Sequence, residues 1–228
     1  MSINTQNDVR TLAYVLKRTN YNEADRIINV ITPKGKTSAI AKGVRREKSK
    51  LAGGIEMFSL VELNIHRGKG EIGVVTSAKM LKYYGNLMSD FKKMEFAALV
   101  LKKISLAAES SDNPEYFKII DQSLACLNSG LNMALVESWF WLNLLKASGE
   151  EVNLYRDADG KKLSAECRYV WDVMDNAFIE KKNGDYGADE IKVLRLILTA
   201  DLGVVARIKD IDRMTPGILK LAHIVSKI

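Results

Sequence analysis

The chain has 228 residues, a formal net charge of +6 and a pI near 9.1, enough length to bury a core in one or two domains. No apolar run approaches the ~20 residues that span a bilayer, and Met1 to Asp8 lacks the cationic start and apolar stretch of a secretory signal, so a soluble cytoplasmic protein is expected. Cys126 and Cys167 are the two cysteines; they cannot form a disulfide framework and have no Cys or His at metal spacing, so no metal or cofactor is expected.

The charge is segregated. Residues 1–85 hold 15 Lys and Arg against 7 Asp and Glu, a net of +8, whereas the other 143 residues net −2. An excess gathered in the first third points to a polyanionic partner for that segment.

That third reads as β-structure. Thr11–Lys17 alternates, with Leu12, Tyr14 and Leu16 on one face, and a polar loop follows from Thr19 to Asp25. Arg26–Thr32 is a second strand, Pro33 to Lys36 a turn, and Thr37–Lys42 a third strand. Met57–Arg67 alternates again, with Val61, Leu63 and Ile65 opposite Leu60, Glu62, Asn64 and His66. Gly68-Lys69-Gly70 closes a hairpin onto a fifth strand, Glu71–Leu81. Five short strands with a long cationic connection after the third suit a five-stranded OB-fold barrel over residues 1–85.

The period changes after Asn86, and residues 86–228 read as an α-helical domain. Helices are expected over Asp90–Glu109, from Asn113-Pro114 through Leu124 with Pro at the first position, and over Asn132–Lys146. The last is apolar almost all round, through Trp139, Phe140 and Trp141, as a central helix is. Asp189–Thr199 and Pro216–Lys227 complete the set, Thr215 being the expected N-cap. Between them, 152–186 is a different stretch, with turns at Asp157–Gly160 and Asn183-Gly184 and a hairpin over Arg168–Lys181 around Asp175-Asn176. The fold class is therefore α+β.

Between Lys42 and Lys50 the chain reads K-G-V-R-R-E-K-S-K, five cations in nine residues. Lys42, Arg45, Arg46, Lys48 and Lys50 each suit a phosphate, and Arg45-Arg46 is the strongest pair because guanidinium groups contact phosphate bidentately. Lys17, Arg18, Lys34 and Lys36, at strand ends or turns, extend the same track. Tyr21, in a loop, is the candidate platform for stacking a base, whereas Tyr14 and Phe58 are expected in the barrel core. Glu23 and Asp25 stand beside Lys17 and Arg18 as possible ion-pair partners. The match of Gly68 to Gly73 to G-x-G-x-x-G is discounted because a strand follows it, not a helix. Asp157-Ala158-Asp159-Gly160 lacks the acids of a calcium loop. His66 and His223 read as lone surface histidines. No catalytic constellation or P-loop stands out, so no enzyme is expected.

Three segments in order resemble the RecO family of bacterial recombination mediators. They are Val15-Leu16-Lys17-Arg18 with Tyr21 to Asp25; Ile31-Thr32-Pro33-Lys34-Gly35-Lys36; and Ala41 to Lys50, which is similar to A-K-G-x-R-R-x-K-S, leading through Gly53 to Phe58. The resemblance is clear over residues 10–85 and architectural beyond. It implies an OB-fold barrel before a helical domain. Many members insert a four-cysteine zinc module near 152–186; here the C-x-x-C pairs are missing, which implies a zinc-free hairpin or turn. It also implies binding of single- and double-stranded DNA, annealing of complementary strands, and work with a RecR-like partner to load recombinase. A further implied partner is the C-terminal tail of single-stranded-DNA-binding protein, received in the helical domain, and the implied place is the cytoplasm, on the nucleoid when DNA-bound. From the residues alone, an OB-fold RNA-binding or ribosome-associated protein fits the same loop, as does a helical adaptor whose barrel is merely basic.

Overall fold

The computed structural model describes residues 7–68, 70 and 72–227. The chain divides into two compact units, Met1–Leu124 and Ala125–Ile228.

The first unit begins with strands β1 (Asp8–Tyr21), β2 (Asp25–Thr32), β3 (Gly35–Ala41), β4 (Ser59–His66) and β5 (Gly73–Tyr83). They close a barrel in the order β1-β2-β3-β5-β4, with the β3–β5 pairing parallel and the others antiparallel. This is the OB-fold expected, built on alternation: Ala13, Val15, Ile28, Val30, Ala39, Val61, Leu63, Ile65 and Val75 fill its interior. Lys69 and Glu71, expected in the β4–β5 connection and at the start of the fifth strand, lie outside the described residues.

Two expectations for β1 need correction. The polar stretch after Lys17 is strand, since Thr19, Asn20 and Tyr21 pair with Ile27, Arg26 and Asp25; backbone pairing in a long hairpin overrides polar composition. The interior face carries Ala13 and Val15, not Leu12, Tyr14 and Leu16. Tyr14 is fully buried on the outer face instead, against α2 (Glu115–Asn128), which follows α1 (Phe91–Ser110). Its hydroxyl donates to Asp121 at 2.5 Å and lies 2.9 Å from the Tyr84 hydroxyl, and its ring sits 5.3 Å from that of Phe117. Burial, then the bond to Asp121, pushes the Tyr14 phenol far above its ordinary range. Asp90 caps α1 by accepting from the Lys92 and Lys93 N–H groups. Asn113 caps α2 through its side chain, leaving Pro114 at the first turn as expected.

The second unit contains α3 (Met133–Ala147), the hairpin β6 (Tyr169–Asp172) and β7 (Ala177–Glu180), then α4 (Ala188–Ile197), α5 (Leu202–Val205) and α6 (Ile211–Val225). α3 is central, with Trp139, Phe140, Trp141 and Leu142 all buried and the Trp139 indole N–H donating to Ala200 O at 3.1 Å. Thr215 is not an N-cap. α6 starts at Ile211, and the Thr215 hydroxyl bonds back to Ile211 O at 2.9 Å inside it. Neither histidine is alone: His66 Nδ1 lies 2.7 Å from Asp8 in the first unit, and His223 Nε2 lies 2.8 Å from Glu137 in the second.

Residues 152–186 fold as an ordered module around the expected hairpin. Its turn is fixed by the Asp172 carboxylate, which accepts from the Met174 and Asp175 N–H groups. Bridges pair Arg156 with Lys162 and Tyr169 with Tyr186. At its centre the ring of Phe178 meets Tyr169, Trp171 and Tyr186, edge-on at 6.1, 5.0 and 5.5 Å. Such packing adds to the transfer energy of the rings. Burial pushes the Tyr186 phenol up to about 12. Among the described residues no three His, Cys, Asp or Glu gather as a metal site.

The module therefore depends on Phe178. Phe178→Ala is expected to destabilise it by about 3–5 kcal/mol, measured by urea unfolding, whereas EDTA leaves the wild-type transition where it was. A large EDTA-induced shift would contradict an aromatic-centred module.

Candidate nucleic-acid interface

The connection between β3 and β4 leaves the barrel at Ala41 and returns at Ser59. Lys42, Arg45, Arg46, Lys48 and Lys50 are all exposed. Among the described residues none of the five takes part in an ion pair. Unneutralised like charges repel, so the segment needs anchors to hold its course, and the sequence supplies them between the cations.

Val44 is one anchor: it is only 3% exposed and belongs to the barrel core. Asp25, at the β1–β2 turn, is another. Its Oδ1 accepts from the Gly43 N–H at 2.7 Å, and the neighbouring Ala24 carbonyl accepts from the Arg45 N–H at 2.8 Å. Gly43 has φ +61°, a left-handed conformation that a glycine adopts without strain. Two turns follow, Arg46 N–H to Gly43 O at 3.1 Å and Ser49 N–H to Arg46 O at 3.0 Å. They fold the cationic run into a short, ordered protrusion. A 3-10 turn at Ala52–Gly54 then seats the chain on β5. A Cβ on Gly54 would collide with the backbone of Ala78, so glycine is required there by close approach.

The remaining candidates divide by position. Tyr21, at the end of β1 and not in a loop, is 44% exposed and paired with Asp25, so it stands at the same end of the barrel as the loop. Lys17 is exposed on β1 beside a bulge. Arg18 is committed to Glu56 at 2.8 Å, so the expected pairing of Lys17 and Arg18 with Glu23 and Asp25 is replaced: Asp25 spends its carboxylate on the loop backbone.

Lys34 and Lys36 lie apart from the loop. They lie at the turn end of the β2–β3 hairpin, where Thr32 pairs with Gly35, and the cationic loop leaves from the other end, where Arg26 pairs with Ala41. A seven-residue strand separates the two ends by about 20 Å. Lys36 is further held by Ser105 O at 2.9 Å and Glu109 at 3.0 Å on α1. Phe58, expected in the core, is half-buried with φ +56°.

Reasoning from the sequence missed Asp25 and Val44 as the residues that shape the loop. A single apolar residue inside a run of cations was the available signal for Val44. For Asp25 there was none, because its role appears only when the two loops meet. Asp25→Ala is expected to free the loop at a cost of about 1–2 kcal/mol. Limited trypsin digestion checks this: cleavage after Arg45 and Arg46 should speed up several-fold, and an unchanged rate would mean that the carboxylate is dispensable.

Comparison with known proteins follows the same outline. Residues 6–84 match the family model described as recombination protein O N terminal. Over 223 residues the chain is 30% identical to the DNA repair protein RecO of Dehalococcoides mccartyi strain 195, covering 94% of this chain and 87% of that one. It is 30% identical over 194 residues to the DNA repair protein RecO of Roseiflexus sp. strain RS-1, covering 85% and 66%. With Syntrophobacter fumaroxidans RecO it shares 33% over 132 residues, covering 56% and 52%. With residues 6–84 matched to that model on a barrel of OB topology, and a relative 30% identical over 94% of this chain and 87% of its own, the chain belongs to the RecO family.

Proposed function

We propose that this chain serves DNA repair and recombination by holding single-stranded DNA, and the ends of duplexes, through phosphates laid against the loop from Lys42 to Lys50. The observation that carries the reading is the anchored, exposed and unneutralised cationic run at one end of the OB barrel. Each phosphate contact releases condensed counterions, so affinity comes from the backbone and not from base sequence.

Annealing follows from the same electrostatics. Two complementary strands repel through their phosphates; neutralising part of that charge while leaving base edges open lowers the barrier to pairing. No nucleotide hydrolysis is needed. Family membership supports a RecR-like partner and a role in loading recombinase onto strands coated by single-stranded-DNA-binding protein.

We place the seat of that protein's acidic, apolar-ended tail in the second unit. A groove of about 370 Å³ there has Val193, Leu196, Ile208 and Met214 as its floor, with Lys192, Lys209 and Arg213 around it. Apolar floor and cationic rim complement such a tail, although Asp189 and Asp210 at the same rim reduce the net attraction.

The test is a salt titration of affinity for oligo-dT combined with a fluorescence annealing assay. Arg45→Ala with Arg46→Ala is expected to weaken binding, to lower the slope of log K against log[salt] by about 1.4, and to slow annealing. Lys34→Ala, at the far end of the β2–β3 hairpin, should leave the slope as it is. An unchanged slope in the double variant would remove the loop from the DNA surface, and a preference for structured RNA without annealing would favour an RNA-binding role.

A further inference from the structure

The connection that carries the cations ends at a strained aromatic residue. A φ of +56° at Phe58 is unusual for a bulky side chain, and the residue borders a cleft. It is stabilised from both sides: the Tyr84 N–H donates to Phe58 O at 3.0 Å, and the Ser59 hydroxyl donates to Glu56 O at 2.6 Å. Beside it the first unit opens a groove of about 460 Å³, walled by Met57, Phe58, Met80, Tyr83 and Met88, with Arg18 and its partner Glu56 at the lip. Tyr83 is 51% exposed and Met88 42%.

The groove follows the cationic loop in the chain. Glu56 to Phe58 follow directly on the turn that Gly54 seats against Ala78, and Met80 stands two residues beyond Ala78 on β5. The groove is apolar, aromatic and sulfur-lined, and of small-ligand size. The slot offers apolar surface to a base face, while Arg18 and Glu56 at its lip are paired with each other.

We propose that this groove stacks an unpaired base of the strand whose phosphates the cationic loop holds, with the exposed Tyr83 as the principal platform and Phe58 as a second aromatic lining residue. The proposal rests on the reading of the loop as a DNA site. A nucleobase suits the groove better than an apolar peptide because the approach is cationic and the lip is charged.

The test compares labelled oligo-dT with an abasic strand of equal length. The cationic loop binds both; only the first presents bases. Tyr83→Ala, at an exposed position that the fold tolerates, is expected to weaken oligo-dT binding about 5- to 100-fold. It should leave abasic binding and the salt slope unchanged, and Tyr83→Trp should restore affinity. Met88→Ala should give a smaller loss on oligo-dT alone. If Tyr83→Ala and Met88→Ala bind oligo-dT like the wild type while the Arg45/Arg46 double variant still flattens the slope, the base site is wrong and the loop reading stands. Equal weakening on both strands would also overturn stacking, because it would place backbone in the groove. If neither strand shows salt-dependent binding to the wild type, the loop reading fails and the base site fails with it.

Discussion

Five cations within nine residues repel one another, and a loop of that composition left to itself would extend into solvent and present no fixed surface. Here the repulsion is opposed at Val44 and Gly43. The first buries an apolar side chain in the barrel, and the second gives its N–H to the carboxylate of Asp25. The carboxylate is the more consequential, because it brings a negative charge to the root of the loop while its oxygen is occupied by backbone. It steadies the segment without pairing with any of the five cations. Charge that is both ordered and uncompensated is what a phosphate backbone can use.

The barrel exists to hold that arrangement. β1 and β2 form the long hairpin whose turn supplies Asp25 and Ala24, β3 delivers Lys42, and β5 receives Gly54. Each end of the connection is thus fixed on a different strand. Lys36 stands outside that arrangement, bound instead to a carboxylate and a carbonyl of α1.

The regular parts of this fold were legible in the sequence because they obey one period. β4 alternates without exception, and the hairpin around Asp175-Asn176 follows from local turn chemistry. The errors fall where a second element changes the rule. Tyr14 reads as barrel core because β1 is apolar on both faces; its outer face is covered by α2, so alternation cannot say which face is interior. Thr215 before Pro216 has the composition of a helix start, yet α6 begins four residues earlier. Asp25 looked like an ion-pair partner for its neighbours in sequence, and its true partner lies eighteen residues away. The cationic run itself was plain, whereas the groove near Phe58 was invisible because it depends on a left-handed backbone at a residue type that seldom adopts one.

Annealing sets a limit on how bases can be held. A binder that stacked every base in a row of aromatics would grip single strands tightly and oppose their pairing, since each stacked base must be released first. On the proposed reading the first unit strikes the opposite balance: phosphates held along the loop and one base in the groove lined by Tyr83 and Phe58. One stacked base fixes the position of a strand on the protein while its neighbours remain open to a complement. Releasing that one base costs little compared with the stacking gained as a duplex grows past it. A mediator built this way would hold a lone strand well and yield it readily to a partner strand, which is the order of events that annealing requires.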